Sequence, residues 1–200
     1  MKFSILIPFR NKESSRVKRC LDSLKEQNSK DFEVCFVDYG SATHSAKEIE
    51  TLCQKYDFVR YIYSHTQGWF WSRSHALNTG IRHAQGDYVV TVDIDMIYSS
   101  NFIEIISERV QKNKLIHYHC YYLPESFKNY DKLRDLDLKG LELSNPDSAK
   151  GLFVVEKSIL EQIQGFDQFY KIWGIEDMDM SRRLAYLGIK IAWLPPKKSP

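Results

Sequence analysis

Short apolar runs alternate with apolar residues at helical spacing through the first half of the chain. Phe3-Ser4-Ile5-Leu6-Ile7, closed by Pro8, reads as a buried strand. Val17, Leu21 and Leu24 follow at i, i+4 and i+7 and predict a helix. Residues 32–37 predict a second strand ending at Asp38, before the turn Tyr39-Gly40-Ser41. Ile49, Leu52, Cys53 and Tyr56 predict another helix face, and residues 58–63 a third strand. After the cluster Gly68-Trp69-Phe70-Trp71 comes a helix with Leu77, Ile81 and Ala84 inward. Residues 88–95, Tyr-Val-Val-Thr-Val-Asp-Ile-Asp, predict a fourth strand. Beyond it the alternation loosens. Phe102, Ile105, Ile106 and Val110 mark a helix, residues 115–123 a strand, and residues 126–150 a polar loop of the kind that often serves as a lid or binding element. A strand at 152–155, a short helix stopped by Gly165 and a helix with Met180, Leu184 and Leu187 inward complete the pattern.

Regular alternation of strand and helix predicts an α/β fold, a mostly parallel central sheet flanked by helices on both faces. Ligands of such sheets bind beyond the carboxyl ends of the strands. Three polar strand ends would then share one crevice: Pro8 to Arg10, Asp38, and Asp93 to Asp95. The chain has 200 residues, which suits a single domain over 1–200. Its net charge of +2 is too small to argue for nucleic acid. Cys20, Cys35, Cys53 and Cys120 are widely spaced at positions that read as core, so free thiols in a reducing compartment are expected. The N-terminal apolar run is too short for a signal peptide and no stretch approaches a membrane span, so the expected location is cytoplasmic.

Three constellations carry candidate chemistry. Asp93 and Asp95 stand two apart at a strand's end and so share a face. Two ionised carboxylates that close repel unless a cation lies between them, and an all-oxygen ligand set favours Mg²⁺ or Mn²⁺ shared with a phosphate. The plainer alternative is a solvated acidic loop. His117 and His119 also share a strand face and form a weaker candidate metal pair, since such histidines more often pack or face solvent. Trp173-Gly174-Ile175-Glu176-Asp177-Met178-Asp179 packs three acids into the first turn of a helix. The helix dipole favours carboxylates there, which accounts for one or two of them. An indole beside them is a common platform for a sugar ring.

Taken together and in order, these motifs resemble those of a family 2 type glycosyltransferase of the GT-A fold over nearly the whole chain. The residues that carry the resemblance are Ile7-Pro8-Phe9-Arg10-Asn11, Val37-Asp38-Tyr39-Gly40-Ser41, Arg73 with Leu77-Asn78-Thr79-Gly80, Ala84-Gln85-Gly86-Asp87-Tyr88, Asp93-Ile94-Asp95 and Trp173-Gly174-Ile175-Glu176-Asp177. The first and last are similar to motifs of β-1,4-galactosyltransferases and of galactosyltransferase-like domains of bacterial polysaccharide enzymes.

The resemblance implies a nucleotide-sugar-binding half over about residues 1–122 and an acceptor-binding half over about 123–200. Pro8, Phe9 and Arg10 would border the nucleotide, and Asp38 would bond its uracil or ribose. Arg73 would face the diphosphate, and Asp93 and Asp95 would hold ribose and metal. Trp173 and Glu176 would bind the acceptor, with Asp177 as general base. The implied reaction is inverting transfer from a UDP-sugar, of galactose or N-acetylgalactosamine type, to a hydroxyl of a glycan or lipid-linked glycan. The cofactor would be Mn²⁺ or Mg²⁺, and peripheral membrane association is compatible with such an acceptor. These families usually add a downstream His as metal ligand, and no His follows His119. Either the chain is truncated, or water and phosphate complete the cation's shell. The competing readings are a GT-A-like binding module with little turnover and a haloacid-dehalogenase-type phosphatase, in which an Asp-x-Asp follows the first strand rather than the fourth.

Overall fold

The structure is a computed structural model that describes residues 3–124, 127, 141–144, 150–172 and 174–195. Seven strands form one sheet. In chain order they are β1 (Phe3–Phe9), β2 (Phe32–Asp38), β3 (Val59–Tyr63), β4 (Tyr88–Thr91), β5 (Lys114–His117), β8 (Phe153–Glu156) and β9 (Lys190–Trp193). A separate two-stranded sheet joins β6 (Tyr121–Tyr122) to β7 (Glu142–Leu143). The order across the large sheet is β3-β2-β1-β4-β8-β5-β9. Only β8 runs against its neighbours; the other pairings are parallel. The predicted α/β architecture is therefore the observed one, and strands from both halves of the chain enter one sheet.

Period-two alternation sends each strand's side chains to two separate cores. Ile5, Ile7, Val34, Phe36, Val90 and Val154 meet α1 (Ser14–Lys25), α2 (Thr43–Cys53) and α4 (Phe102–Arg109) through Val17, Leu21, Leu24, Ile49, Ile103 and Ile106. On the other face Leu6, Cys35, Val89, Phe153 and Val155 meet α3 (Arg73–His83), α5 (Lys157–Gln162) and α6 (Glu176–Tyr186) through Leu77, Ile81, Leu160, Met180 and Leu184. Burial on both faces is why these strands read as nearly unbroken apolar runs. In α4 the predicted Ile106 is buried, with Phe102 and Val110 packed partly buried against the same core, and Ile103 is buried where Ile105 was expected. The four cysteines are free.

Two predicted strand ends move. β1 continues through Pro8 to Phe9, because β4 pairs with it only as far as Leu6↔Thr91. Leu6 accepts from the Val92 N–H on that side, and Pro8, two residues on, faces the same side past the end of the ladder. No donor is missed there. The 115–123 strand is broken into β5 and β6. Most of the expected 126–150 loop lies outside the described residues.

At the amino edge of the sheet a buried polar knot ties β1, β2 and the α3–β4 turn. Glu33 accepts from Ser4 Oγ at 2.8 Å, from the Gln85 N–H at 2.6 Å and from Arg60 Nη2 at 3.3 Å, while Ser4 Oγ accepts the Gly86 N–H at 2.8 Å. Removing this carboxylate leaves an inward N–H and a hydroxyl without an acceptor. Glu33→Ala is expected to cost about 3 kcal/mol, and Glu33→Gln, which keeps one acceptor oxygen, about half as much, read by urea denaturation.

Candidate active site

The strand order turns at β1. β2 and β3 lie on one side of it and β4 on the other, so a crevice opens beyond the carboxyl ends of β1 and β4. Arg10 follows β1 at that edge, and the acidic pair follows β4. The ladder stops at Thr91 and residues 94–95 form a turn, so Asp93 and Asp95 stand just past the strand rather than in it. The alternation of burial nevertheless persists. Val92 and Ile94 point inward, Asp93 is 49% exposed at its side chain, and Asp95 is exposed. Tyr118 anchors the strand's end, its hydroxyl donating to the Thr91 carbonyl at 2.6 Å. Behind the pair, burial first and then the charges of Asp95 and Asp93 push the Cys20 thiol far up, so it stays protonated.

Arg73, the first residue of α3, gathers the crevice. Its Nε and Nη2 donate to Asp93 Oδ1 at 3.3 and 3.1 Å, and Nη2 also donates to the Gly151 carbonyl at 3.2 Å. Its Nη1 lies 4.0 Å from Glu176 Oε1 and makes no hydrogen bond among the described residues. A Cβ at Gly151 would come within 3.3 Å of the guanidinium, so the absence of a side chain there lets Arg73 lie against the backbone. Thr91 Oγ1 donates to the same Gly151 carbonyl at 2.8 Å. The Arg73 side chain is only 15% exposed. Burial works against its charge, but Asp93, Glu176 and Asp177 outweigh that and hold its pKa above the usual value.

The acids of α6 separate by role. Asp179 is taken by Arg183 at 2.8 Å, whose guanidinium also donates to the Ile163 and Gly165 carbonyls and pins α6 to the end of α5. Asp177 Oδ1 accepts the Met178 N–H at 2.7 Å, one of the unsatisfied donors of the first turn. Glu176 is 13% exposed at its side chain, and burial raises its pKa, with Asp177 and Asp93 adding to the rise while its own backbone N–H and Arg73 oppose it. Trp173 lies outside the described residues.

The nucleotide-side candidates are placed less openly than their motif implies. Pro8 and Phe9 are buried, Phe9 packed on Phe36 with ring centroids 5.2 Å apart. What they offer the crevice is backbone at the strand's end. Arg10 donates to the Trp69 carbonyl at 2.7 Å and lies 6.0 Å from the centre of the Tyr39 ring. Asp38 is 0% exposed: Oδ1 accepts the Ser41 N–H and Oδ2 the Tyr61 hydroxyl, both at 2.8 Å. It shapes the turn after β2. That turn passes through Gly40 at φ +71°, where a Cβ would run into the Thr66–Gln67 backbone.

His117 and His119 do share a side, but they do not form a metal pair. Both rings stack on Trp193, with centroids 4.6 and 4.7 Å away. His119 Nδ1 is bonded to the Ser144 carbonyl, and His117 Nε2 lies 3.4 Å from Ser181 Oγ on α6. Burial lowers the His117 pKa to about 4, helped by Lys150 and His119 and opposed by a backbone hydrogen bond at Leu152. A depressed histidine contributes stability that is present above its ordinary value of 6.5 and is lost as pH falls through about 4. That loss amounts to about 3 kcal/mol. Chemical denaturation at pH 7 and pH 4 should show it in the wild type and not in His117→Gln.

Among the described residues no group of three or more His, Cys, Asp or Glu is arranged to hold a metal ion. Asp93 Oδ2 and the Asp95 carboxylate, neither with a hydrogen bond or ion pair among those residues, supply two hard oxygen donors. This set fits a Mg²⁺- or Mn²⁺-like cation that keeps water and takes phosphate oxygens, and it is too small for a closed protein cage. Five residues to which the sequence reading gave no role in the site also shape it: Gly151, Thr91, Tyr118, and Tyr39 with His75, whose hydroxyl and Nδ1 are 3.0 Å apart. A glycine directly before an apolar run was the one sequence signal of them.

The mostly parallel central sheet and its flanking helices are those of a GT-A fold. The sequence profile of glycosyl transferase family 2 matches residues 4–169, and the chain belongs to that family. The phosphatase reading is thereby set aside. The chain is 31% identical over 123 residues to the uncharacterised glycosyltransferase EpsJ of Bacillus subtilis, covering 62% of this chain and 34% of EpsJ. It is 24% identical over 205 residues to a probable glycosyltransferase of Sulfolobus acidocaldarius, covering 92% of this chain and 42% of that protein. The mannosyltransferase PcManGT of Pyrobaculum calidifontis, solved with GDP-Man and Mn²⁺, superposes with a TM-score of 0.69 at 20% identity, over 98% of this chain and 55% of its own. Staphylococcus aureus TarS 1–349 with UDP superposes at 0.72 and 19% identity, over 98% and 59%. The chain thus spans less than two thirds of each of these proteins. No described helix is long and apolar enough to cross a membrane.

Proposed function

We propose that this chain moves a glycosyl unit, with inversion, from a nucleoside-diphosphate sugar to a hydroxyl of a glycan or lipid-linked glycan. The donor favoured is a UDP-sugar of galactose or N-acetylgalactosamine type. The observation that carries the reading is the Arg73 guanidinium, set between Asp93 on the donor side and Glu176 on the side of α6. Two acid groups from distant parts of the chain face one crevice, as displacement at an anomeric carbon requires: charge compensation for the leaving group on one side, a base on the other.

In this mechanism Asp93 and Asp95 would hold the cation, and Asp93 would also face the ribose. Bound there, Mn²⁺ or Mg²⁺ would supply Lewis-acid neutralisation of the departing diphosphate. Arg73 donates to diphosphate oxygens. Arg10 and the backbone of Pro8 and Phe9 border the nucleotide, and Asp38 fixes the turn beneath the base through Ser41. Asp177 takes the proton of the acceptor hydroxyl as its oxygen bonds to the anomeric carbon and the bond to the diphosphate breaks. Glu176 hydrogen-bonds the acceptor, and Trp173 stacks on its sugar face. Trp69, Phe70, Phe169 and Ile172 are all well exposed on two loops fastened by the Ile172 N–H to Trp71 carbonyl bond. Such a rim suits an acceptor platform.

Calorimetry with UDP tests the donor side. Affinity in Mn²⁺ is expected to exceed that in EDTA by tenfold or more; equal affinities would remove the cation from the reading.

A further inference from the structure

We propose that Arg73 is a counter-ion gate on the cation site: it neutralises Asp93 while no cation is bound, and is displaced when a divalent cation takes that carboxylate. The inference rests on the transferase reading of the crevice and adds an order of events to it.

Three carboxylates, those of Asp93, Glu176 and Asp177, act on one buried guanidinium. Arg73 spends two of its N–H groups, Nε and Nη2, on the single oxygen Oδ1 of Asp93. A divalent ion bound by Asp93 would stand beside that guanidinium, and two cations on one half-exposed carboxylate repel each other. The side chain has somewhere to go. Nη1 has no hydrogen bond among the described residues and lies 4.0 Å from Glu176, and the surface beneath the guanidinium is the bare backbone of Gly151. Leaving Asp93 therefore frees two donors inside the crevice, where the diphosphate of the donor would accept them. In the absence of cation the same two donors are occupied, so the site binds the nucleotide poorly until the cation has arrived.

A residue that merely fastened Gly151 and Asp93 together would, on removal, weaken everything that binds. A gate gives effects of opposite sign. Arg73→Gln is expected to bind free Mn²⁺, followed by electron paramagnetic resonance without nucleotide, about three- to tenfold more tightly than wild type, the range for losing one partly exposed competing ion pair. In saturating Mn²⁺ the same variant is expected to bind UDP about tenfold more weakly. Free Mn²⁺ affinity that is unchanged or lowered in Arg73→Gln would overturn the gate. Absence of any UDP binding by the wild type in Mn²⁺ would instead overturn the transferase reading, and the gate with it. A measurement on the wild type covers a variant that fails to fold. The Arg73 Nε–H resonance, identified by its loss in Arg73→Lys, should shift when diamagnetic Mg²⁺ is added; an unmoved resonance under saturating Mg²⁺ would show that Arg73 keeps Asp93.

Discussion

Asp95→Ala is expected to lower UDP affinity in saturating Mn²⁺ by about 100-fold while leaving the melting temperature within a degree or two of wild type. The two parts of this expectation have separate causes. Asp95 is exposed and lies in a turn, so it contributes little to packing, and exposed substitutions commonly stay within about 0.5 kcal/mol. Yet it is one of the two carboxylates proposed to hold the cation, and the one of that pair that Arg73 does not engage. Losing it leaves Asp93 alone to hold an ion that the guanidinium opposes. Outer-sphere partners of bound metals are commonly worth 10- to 100-fold, and a direct ligand stands at the upper end of that range or beyond. Calorimetry with UDP in Mn²⁺ and in EDTA separates the outcomes. In EDTA the variant and wild type should match, since both then lack the bridging ion. A variant that binds UDP in Mn²⁺ as well as wild type does would assign the pair to a solvated loop.

The parts of this molecule that repeat a period were legible in the sequence. Ile5, Val34 and Val90 face one core and Leu6, Cys35 and Val89 the other because a strand alternates, and the helices between them expose one apolar face by the same arithmetic. Direction and register carry no such mark. Nothing in Phe153-Val154-Val155 distinguishes an antiparallel strand from the parallel ones around it. The ladder ends at Thr91 although inward and outward residues go on alternating to Asp95, so pattern alone overruns the strand. At the candidate site the motifs located the strand ends but not what already occupied their side chains. Asp38 stands where a nucleotide contact was expected, with both oxygens taken by Ser41 and by Tyr61, a residue 23 positions away on the neighbouring strand. His117 and His119 are two apart on one side, but their partner is Trp193, which only the β5–β9 pairing brings near. Arg73, Gly151 and Glu176 meet for the same reason: long-range contacts are written in the fold, not in any window of the chain.

Asp177→Asn is expected to lower kcat by about 10²- to 10⁴-fold, the usual worth of a general base, with UDP affinity in Mn²⁺ nearly unchanged. Of the three acids that open α6, Asp179 is committed to Arg183, and Glu176 is drawn toward Arg73 on the donor side and held up in pKa chiefly by burial. Asp177 differs from both. One oxygen is anchored by the Met178 N–H, which fixes the carboxylate's orientation, and Oδ2 carries no hydrogen bond among the described residues. It stands in the first turn of the helix, at the positive end of the dipole, where a carboxylate is favoured. Asparagine preserves the shape and can still accept from Met178 through its amide oxygen, so the fold and the nucleotide side should be spared. What it cannot do is take a proton. Glu176→Gln is the control that assigns the roles: it should raise the acceptor KM more than it lowers kcat, because a hydrogen-bonding partner is weakened but the base remains. If Glu176→Gln abolishes turnover and Asp177→Asn stays within a few-fold of wild type, Glu176 is the base, and its burial-raised pKa is then the feature that suits it to the task.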